Sequence, residues 1–169
     1  TESFRALSDH DKAVFNRLHD DFFHVRHNAY WADEAMRKLP AIIGAKREDA
    51  ECSMLPCAED LGMVPASVKG VLEQLHILSL EIQRMPKTYG QRFADTAQYP
   101  YLSVATPATH DMSPIRSWWN EDRERAVAFW HEALHHEGEA PAEATPEVCE
   151  EVVTQHLASP SMLCLIAFQ

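Results

Sequence analysis

Short apolar runs alternate with segments of helical period through the second half of this chain, and nothing else constrains its fold as much. The runs lie near 53–57, at Leu78-Ser79-Leu80-Glu81-Ile82, from Leu102 to Thr106, and at the end from Ser161. Between them, Val68, Val71, Leu72 and Leu75 mark one helix, with Pro65 placed near its first turn. Ala126, Trp130, Ala133 and Leu134 mark a second across Asp122 to Glu137, and Cys149, Val152, Val153 and Leu157 mark a third opened by Thr145-Pro146. A proline is tolerated in a helix's first turn, where its missing N–H has no intrahelical partner. Strands separated by helices predict βα units on a parallel sheet, an α/β fold, because parallel neighbours need a long crossover.

The N-terminal part reads differently. Ser8 with Asp11 resembles a capping box, and Val14, Leu18, Phe22 and Val25 follow at helical spacing. A second helix is expected through Trp31, Ala35 and Leu39, stopped by Pro40. The stretch from Ala45 to Glu51 is polar and reads as a connection. The organisation expected is therefore helical over 1–45 and βα units over 52–169. Residues 83–101, with Pro86, Gly90 and Pro100, have no period and read as a long loop of the kind that often carries function.

A formal charge of −11 repels phosphate backbones, so nucleic acid is excluded as a partner, whereas a neutral sugar is indifferent to it. No run approaches the roughly 18 apolar residues of a membrane helix. The cysteines at 52, 57, 149 and 164 form no CxxC pair and read as reduced, mostly buried thiols of a cytosolic protein, with a Cys52–Cys57 disulfide as the lesser alternative. No secretory signal is visible. A start at Thr1 and an apolar end through Phe168-Gln169 lead to the expectation of a fragment of a longer protein.

Two acidic turns follow the strands. In Cys57-Ala58-Glu59-Asp60-Leu61-Gly62, Glu59 is a candidate general acid/base, which must be a carboxylic acid whose pKa partial burial can raise. The plain alternative is that Glu59-Asp60 caps the turn while Gly62 takes a positive φ. In Thr106-Pro107-Ala108-Thr109-His110-Asp111, the carboxylate of Asp111 could grip sugar hydroxyls as positive charge develops on the ring, with His110 as a further donor; alternatively Asp111 only begins a helical turn before Pro114. Tyr99, Tyr101 and Trp118-Trp119 are candidate platforms for the apolar faces of sugars or core residues, with at least one of them expected in the core. His131-Glu132-Ala133-Leu134-His135 fits HExxH on an expected helix, which would point to a zinc peptidase; the third histidine of the extended pattern is replaced by Pro141.

Three motifs in order then become recognisable: Ala58-Glu59-Asp60-Leu61-Gly62-Met63-Val64-Pro65, Leu78-Ser79-Leu80-Glu81-Ile82-Gln83-Arg84-Met85-Pro86-Lys87, and Thr109-His110-Asp111-Met112-Ser113. With His27-Asn28 and Trp118-Trp119, they resemble the 4-α-glucanotransferases (amylomaltases or disproportionating enzymes) of glycoside hydrolase family 77 over essentially the whole chain. The resemblance implies part of a (β/α)₈ barrel of the α-amylase clan, incomplete here because four strands cannot close eight. It implies retaining transfer of α-1,4-glucan segments between maltooligosaccharides in the cytoplasm, without a metal or organic cofactor. By that likeness Glu59 is the acid/base, Asp111 the transition-state stabiliser, and His110 binds the same sugar; Asp60, Tyr99 and Trp118 are further candidates for glucan contact. The family's nucleophilic Asp, in an Arg-Ile-Asp-type motif ahead of the first catalytic Glu, has no match in residues 1–52. The 169 residues alone are therefore expected to be inactive, and bare barrel edges to favour dimers or strand exchange. A non-catalytic glucan-binding module is the alternative reading.

Overall fold

The computed structural model describes residues 1–44, 55–88 and 90–167. The expected connection at 45–51, the beginning of the first apolar run and the Cys52–Cys57 alternative thus lie outside the described residues. The chain divides into two compact units, Thr1–Met54 with Met63–His76, and Leu55–Gly62 with Ile77–Gln169.

The first unit is helical: α1 (Glu2–Arg5), α2 (Asp9–Asp20), a π-helix (Asp21–Arg26), α3 (Asn28–Gly44) and α4 (Ser67–Leu75). Ser8 caps α2 as expected, its Oγ accepting from Asp11 N at 3.1 Å and donating to Asp11 Oδ2 at 2.6 Å. The expected stop at Pro40 does not occur, and α3 runs on to Gly44. Proline costs a helix the bond to the carbonyl four residues back. Here that residue is the exposed Met36, where water can replace the lost donor. α4 begins two residues after Pro65, whose carbonyl accepts from Val68 N at 3.0 Å. Among the described residues of this unit, only Val71 and Leu72, both on α4, are buried.

The second unit is built on a parallel sheet in the order β1 (Ser79–Glu81), β2 (Ser103–Ala105), β3 (Leu163–Cys164). A fourth segment joins beside β1 through a parallel bridge between Cys57 and Leu78. There Leu78 N donates to Pro56 O at 2.9 Å and Ala58 N to Leu78 O at 2.8 Å. Four parallel segments thus lie side by side in chain order. β2 is buried along its whole length, as a central parallel strand should be. A loop with a 3₁₀ turn at Thr96–Gln98 leads from β1 to β2, and α5 (Ile115–Glu121), α6 (Arg123–Glu132) and α7 (Pro146–Leu157) lead from β2 to β3.

The helices of this unit enclose a continuous core of Trp118, Trp119, Ala126, Phe129, Leu134, Val148 and Val152, with Phe93 packed on it. Phe129 is fully buried and meets Phe93 and Trp118 edge-on, with ring centroids 5.0 and 5.3 Å apart. Trp119 satisfies its indole by donating to Pro141 O at 3.0 Å. Thr145 caps α7 and Pro146 opens it, as the sequence predicts. α6 is shorter than expected: Ala133 N and Leu134 N both return to Phe129 O, and His135 takes a left-handed φ of 58°. Burial of Ala133 and Leu134 in the core pulls the chain off the helical path there. No helix among the described residues is long and apolar enough to cross a membrane.

Candidate active site

The first acidic turn grows directly out of the sheet. Past Ala58 the backbone leaves β1, and the side chain of Asp60 takes its place in the ladder: its Oδ1 accepts from Leu80 N at 3.0 Å. The other oxygen, Oδ2, accepts from Lys87 Nζ at 2.8 Å. The same ammonium donates to Glu81 Oε1 at 2.8 Å, and Glu81 Oε1 also accepts from Ser79 Oγ at 2.9 Å. The two carboxylate side chains are only 10% and 12% exposed. A carboxylate this withdrawn from water needs a counter-charge, and Lys87 serves both. Gly62, with φ 76°, completes the reversal. Glu59, one residue before the anchored Asp60, is left exposed and makes no side-chain hydrogen bond among the described residues.

The second turn is held in a parallel way. After β2, Thr106 Oγ1 donates to Ala108 O at 2.7 Å, and Thr109 Oγ1 accepts from Asp111 N at 3.3 Å. His110 Nε2 lies 3.2 Å from Asp111 Oδ2, with both side chains projecting into solvent. The loop is clamped at its two ends by one guanidinium: Arg84 Nη2 donates to Pro107 O at 2.7 Å and to Ser113 O at 3.1 Å. Arg84 also lies over the Trp118 ring, 5.0 Å from its centroid. Burial pulls its pKa down to about 10, which leaves it charged at neutral pH.

The segment just after β1 therefore holds both turns, Arg84 one and Lys87 the other. Sequence reasoning quoted these cations only as part of a motif. Their partners lie 20–30 residues away along the chain, where no local pattern points. Because the four segments are parallel, the turns after 56–58 and after β2 leave from the same edge of the sheet. Glu59, His110 and Asp111 are exposed in the turns that leave from this edge. Asp60, expected to contact glucan, has both oxygens committed to β1 and Lys87.

Four other expectations are corrected. Tyr99 precedes β2, on the far side of the strand from the acidic turns, and is buried with its ring against His156, 6.4 Å between centroids. Burial pushes its phenol well above the ordinary range. Trp118 is buried with Trp119, so neither is available as a sugar platform; Tyr101 is the exposed ring. The aromatic area these residues carry is worth more in the core than on the surface. The zinc reading fails on geometry, because α6 ends at Glu132 and His135 has turned out of register with His131. His131 Nδ1 instead lies 2.8 Å from His136 O, and Glu132 pairs with Arg92. The thiols are also less buried than expected: Cys57 is exposed, and Cys149 and Cys164 are half-buried.

Known proteins are similar to this chain. The chain is 36% identical over all of its 169 residues to the 4-alpha-glucanotransferase DPE2 of rice (Oryza sativa subsp. japonica), of which it covers 17%. It is 39% identical over 79 residues, 46% of its length, to the 4-alpha-glucanotransferase of Chlamydia trachomatis, covering 15% of that protein. Among solved structures, an amylomaltase from Streptococcus agalactiae in complex with acarbose superposes with a TM-score of 0.52 at 20% identity, covering 71% of this chain and 24% of that one. At that identity the likeness concerns the fold alone. The chain thus spans about a sixth of the length of the relatives that it matches. Residues 5–169 match the glycoside hydrolase 77 family described as 4-alpha-glucanotransferase, and the chain belongs to that family.

Proposed function

We propose that this chain supplies two of the three carboxylates of a 4-α-glucanotransferase that transfers α-1,4-glucan segments between maltooligosaccharides with retention. The observation that carries the reading is the shared edge: Glu59 and Asp111 both follow C-terminal ends of parallel segments one strand apart. Barrel enzymes place their chemistry at that edge. A (β/α)₈ barrel of the α-amylase clan is the architecture that this sheet order fits, with residues 1–45 and 52–169 both part of one catalytic domain.

In this reading Glu59 protonates the departing glycosidic oxygen, then takes the proton from the acceptor's 4-hydroxyl. Asp111 accepts hydrogen bonds from the distorted sugar's hydroxyls, bonds that strengthen as positive charge builds on the ring. His110 binds the same sugar. Asp60 and Lys87 position Glu59, and Arg84 positions the His110–Asp111 loop. The nucleophilic Asp that forms the glycosyl-enzyme lies outside these 169 residues. A cytoplasmic location fits three free thiols, and self-association fits the exposed Leu163, Leu165 and Ile166 at the β3 edge.

Maltotriose disproportionation tests the reading. The 169 residues alone should produce no transfer; turnover by them would place the nucleophile within this chain. In an enzyme of the family's full length carrying this segment, Glu59→Gln should abolish transfer and leave maltooligosaccharide binding largely intact. Equal loss of binding would mean that Glu59 is structural. Binding without transfer by the full-length protein would favour the glucan-binding module.

A further inference from the structure

We propose that the helical unit carries a binding site for a late first-row divalent cation, Zn²⁺ being the natural occupant, formed by His19, Asp20 and His24. One ligand atom from each lies within 4.8 Å of the other two, so a single ion could sit among them after small side-chain rotations. His19 Nδ1 is already 3.1 Å from Asp20 Oδ1, and the two imidazole rings stand edge-on with centroids 5.8 Å apart.

The backbone explains why residues five apart converge. α2 ends at Asp20 and the chain continues as a π-helix from Asp21 to Arg26. In an α-helix, positions i and i+5 are more than a turn apart and diverge. A π-turn is wider than an α-turn and narrows that divergence. His24 lies within the π-helix, and its ring stands 5.8 Å from that of His19.

This irregular segment is braced rather than frayed. Asn28 Nδ2 donates to His24 O at 2.6 Å, the His27 ring nitrogen lies 3.1 Å from Phe22 O, and Arg26 pairs with Asp21. The ion pair also keeps the neighbouring carboxylate and guanidinium occupied with each other. His19 and His24 remain open to solvent, so an ion has an entry path and water can complete its coordination.

The donor set selects the metal. Two imidazoles and one carboxylate suit Zn²⁺, Ni²⁺ or Co²⁺, whereas Mg²⁺ and Ca²⁺ prefer all-oxygen shells. Bound there, the ion would staple the α-to-π junction by linking its two sides. The site is separate from the acidic turns and does not depend on the proposed reaction.

Calorimetric titration of the 169-residue protein with Zn²⁺, with Co²⁺ absorption as a spectroscopic probe, tests this. One equivalent should bind, and excess Mg²⁺ should not displace it. Even outer partners of metal ligands are worth about 10–100-fold in affinity, so His19→Ala and His24→Ala should each weaken binding by at least ~tenfold. His135→Ala and His136→Ala should leave it unchanged. All four side chains are solvent-accessible, and circular dichroism will report whether each variant keeps its helices. Absence of a stoichiometric site, or Zn²⁺ binding that survives in the His19→Ala/His24→Ala double variant, would overturn the proposal.

Discussion

The two units share the same kind of sequence signal and differ in what became of it. In the helical unit, Val14, Leu18, Phe22 and Val25 stand at helical spacing, yet the last three are exposed, Val25 by 67%. In the sheet unit, Ala126, Phe129 and Ala133 stand at similar spacing and are buried, Phe129 completely. Periodicity states which face of a helix is apolar; it does not supply the surface that covers that face. The sheet unit has that surface in its own strands and neighbouring helices. The helical unit has less of it among the described residues: α3 packs against α4, where Val71 and Leu72 are buried, while the apolar side chains of α2 stay largely open.

The contrast can be broken most directly by truncating a core ring. Phe129→Ala should cost about 3–5 kcal/mol, enough to abolish cooperative unfolding of the sheet unit in a urea titration. A loss below 1 kcal/mol would mean that the core drawn around Phe129 is wrong. Next in size, Arg84→Met removes a charged donor from the Pro107 and Ser113 carbonyls and should cost roughly 1.5–3 kcal/mol. Its signature is local: amide exchange should accelerate over 107–113 more than in β2. Uniform acceleration would deny the clamp.

A smaller effect should appear with pH. His156 is buried in the sheet unit, its Nδ1 donating to Val152 O at 2.7 Å while its Nε2 has no partner among the described residues. Burial pulls its pKa below the ordinary value of 6.5. The unfolded chain therefore binds the proton more readily, and stability should fall as pH drops below about 6.5 toward the folded-state value. His156→Phe should flatten that part of the profile; an unchanged slope would assign it to other groups. The smallest change expected is for Leu18→Ser on α2, within about 0.5 kcal/mol, because an already exposed side chain loses little burial. A large loss there would show that this face is covered after all.

Much of the fold was legible because local chemistry decides it. The strands at 79–81 and 103–105 fall inside the expected runs, and Thr145-Pro146 and Ser8 cap the helices they were expected to cap. Glu59 and Asp111 were legible as carboxylates in turns that follow strands, but the partial burial expected of Glu59 is absent, since its side chain is exposed. What failed depended on partners remote in the chain. Pro40 does not stop α3, where the carbonyl it frees belongs to exposed Met36 and can turn to water. HExxH needs its helix to continue, and packing of Leu134 ends it first. Tyr99 and Trp118 have the composition of a sugar platform, and burial claimed them.

The chain's own residues determined the alternation of strands and helices, the caps and the two acidic turns, since each follows from spacing and side-chain chemistry within a few positions. Only the tertiary structure decided that Asp60 completes a β ladder, that Lys87 neutralises two carboxylates 21 residues apart, and that Arg84 holds both ends of the second turn. Those bonds form because a parallel sheet brings successive strand ends to one edge, where a charge withdrawn from water must find its counterpart across space.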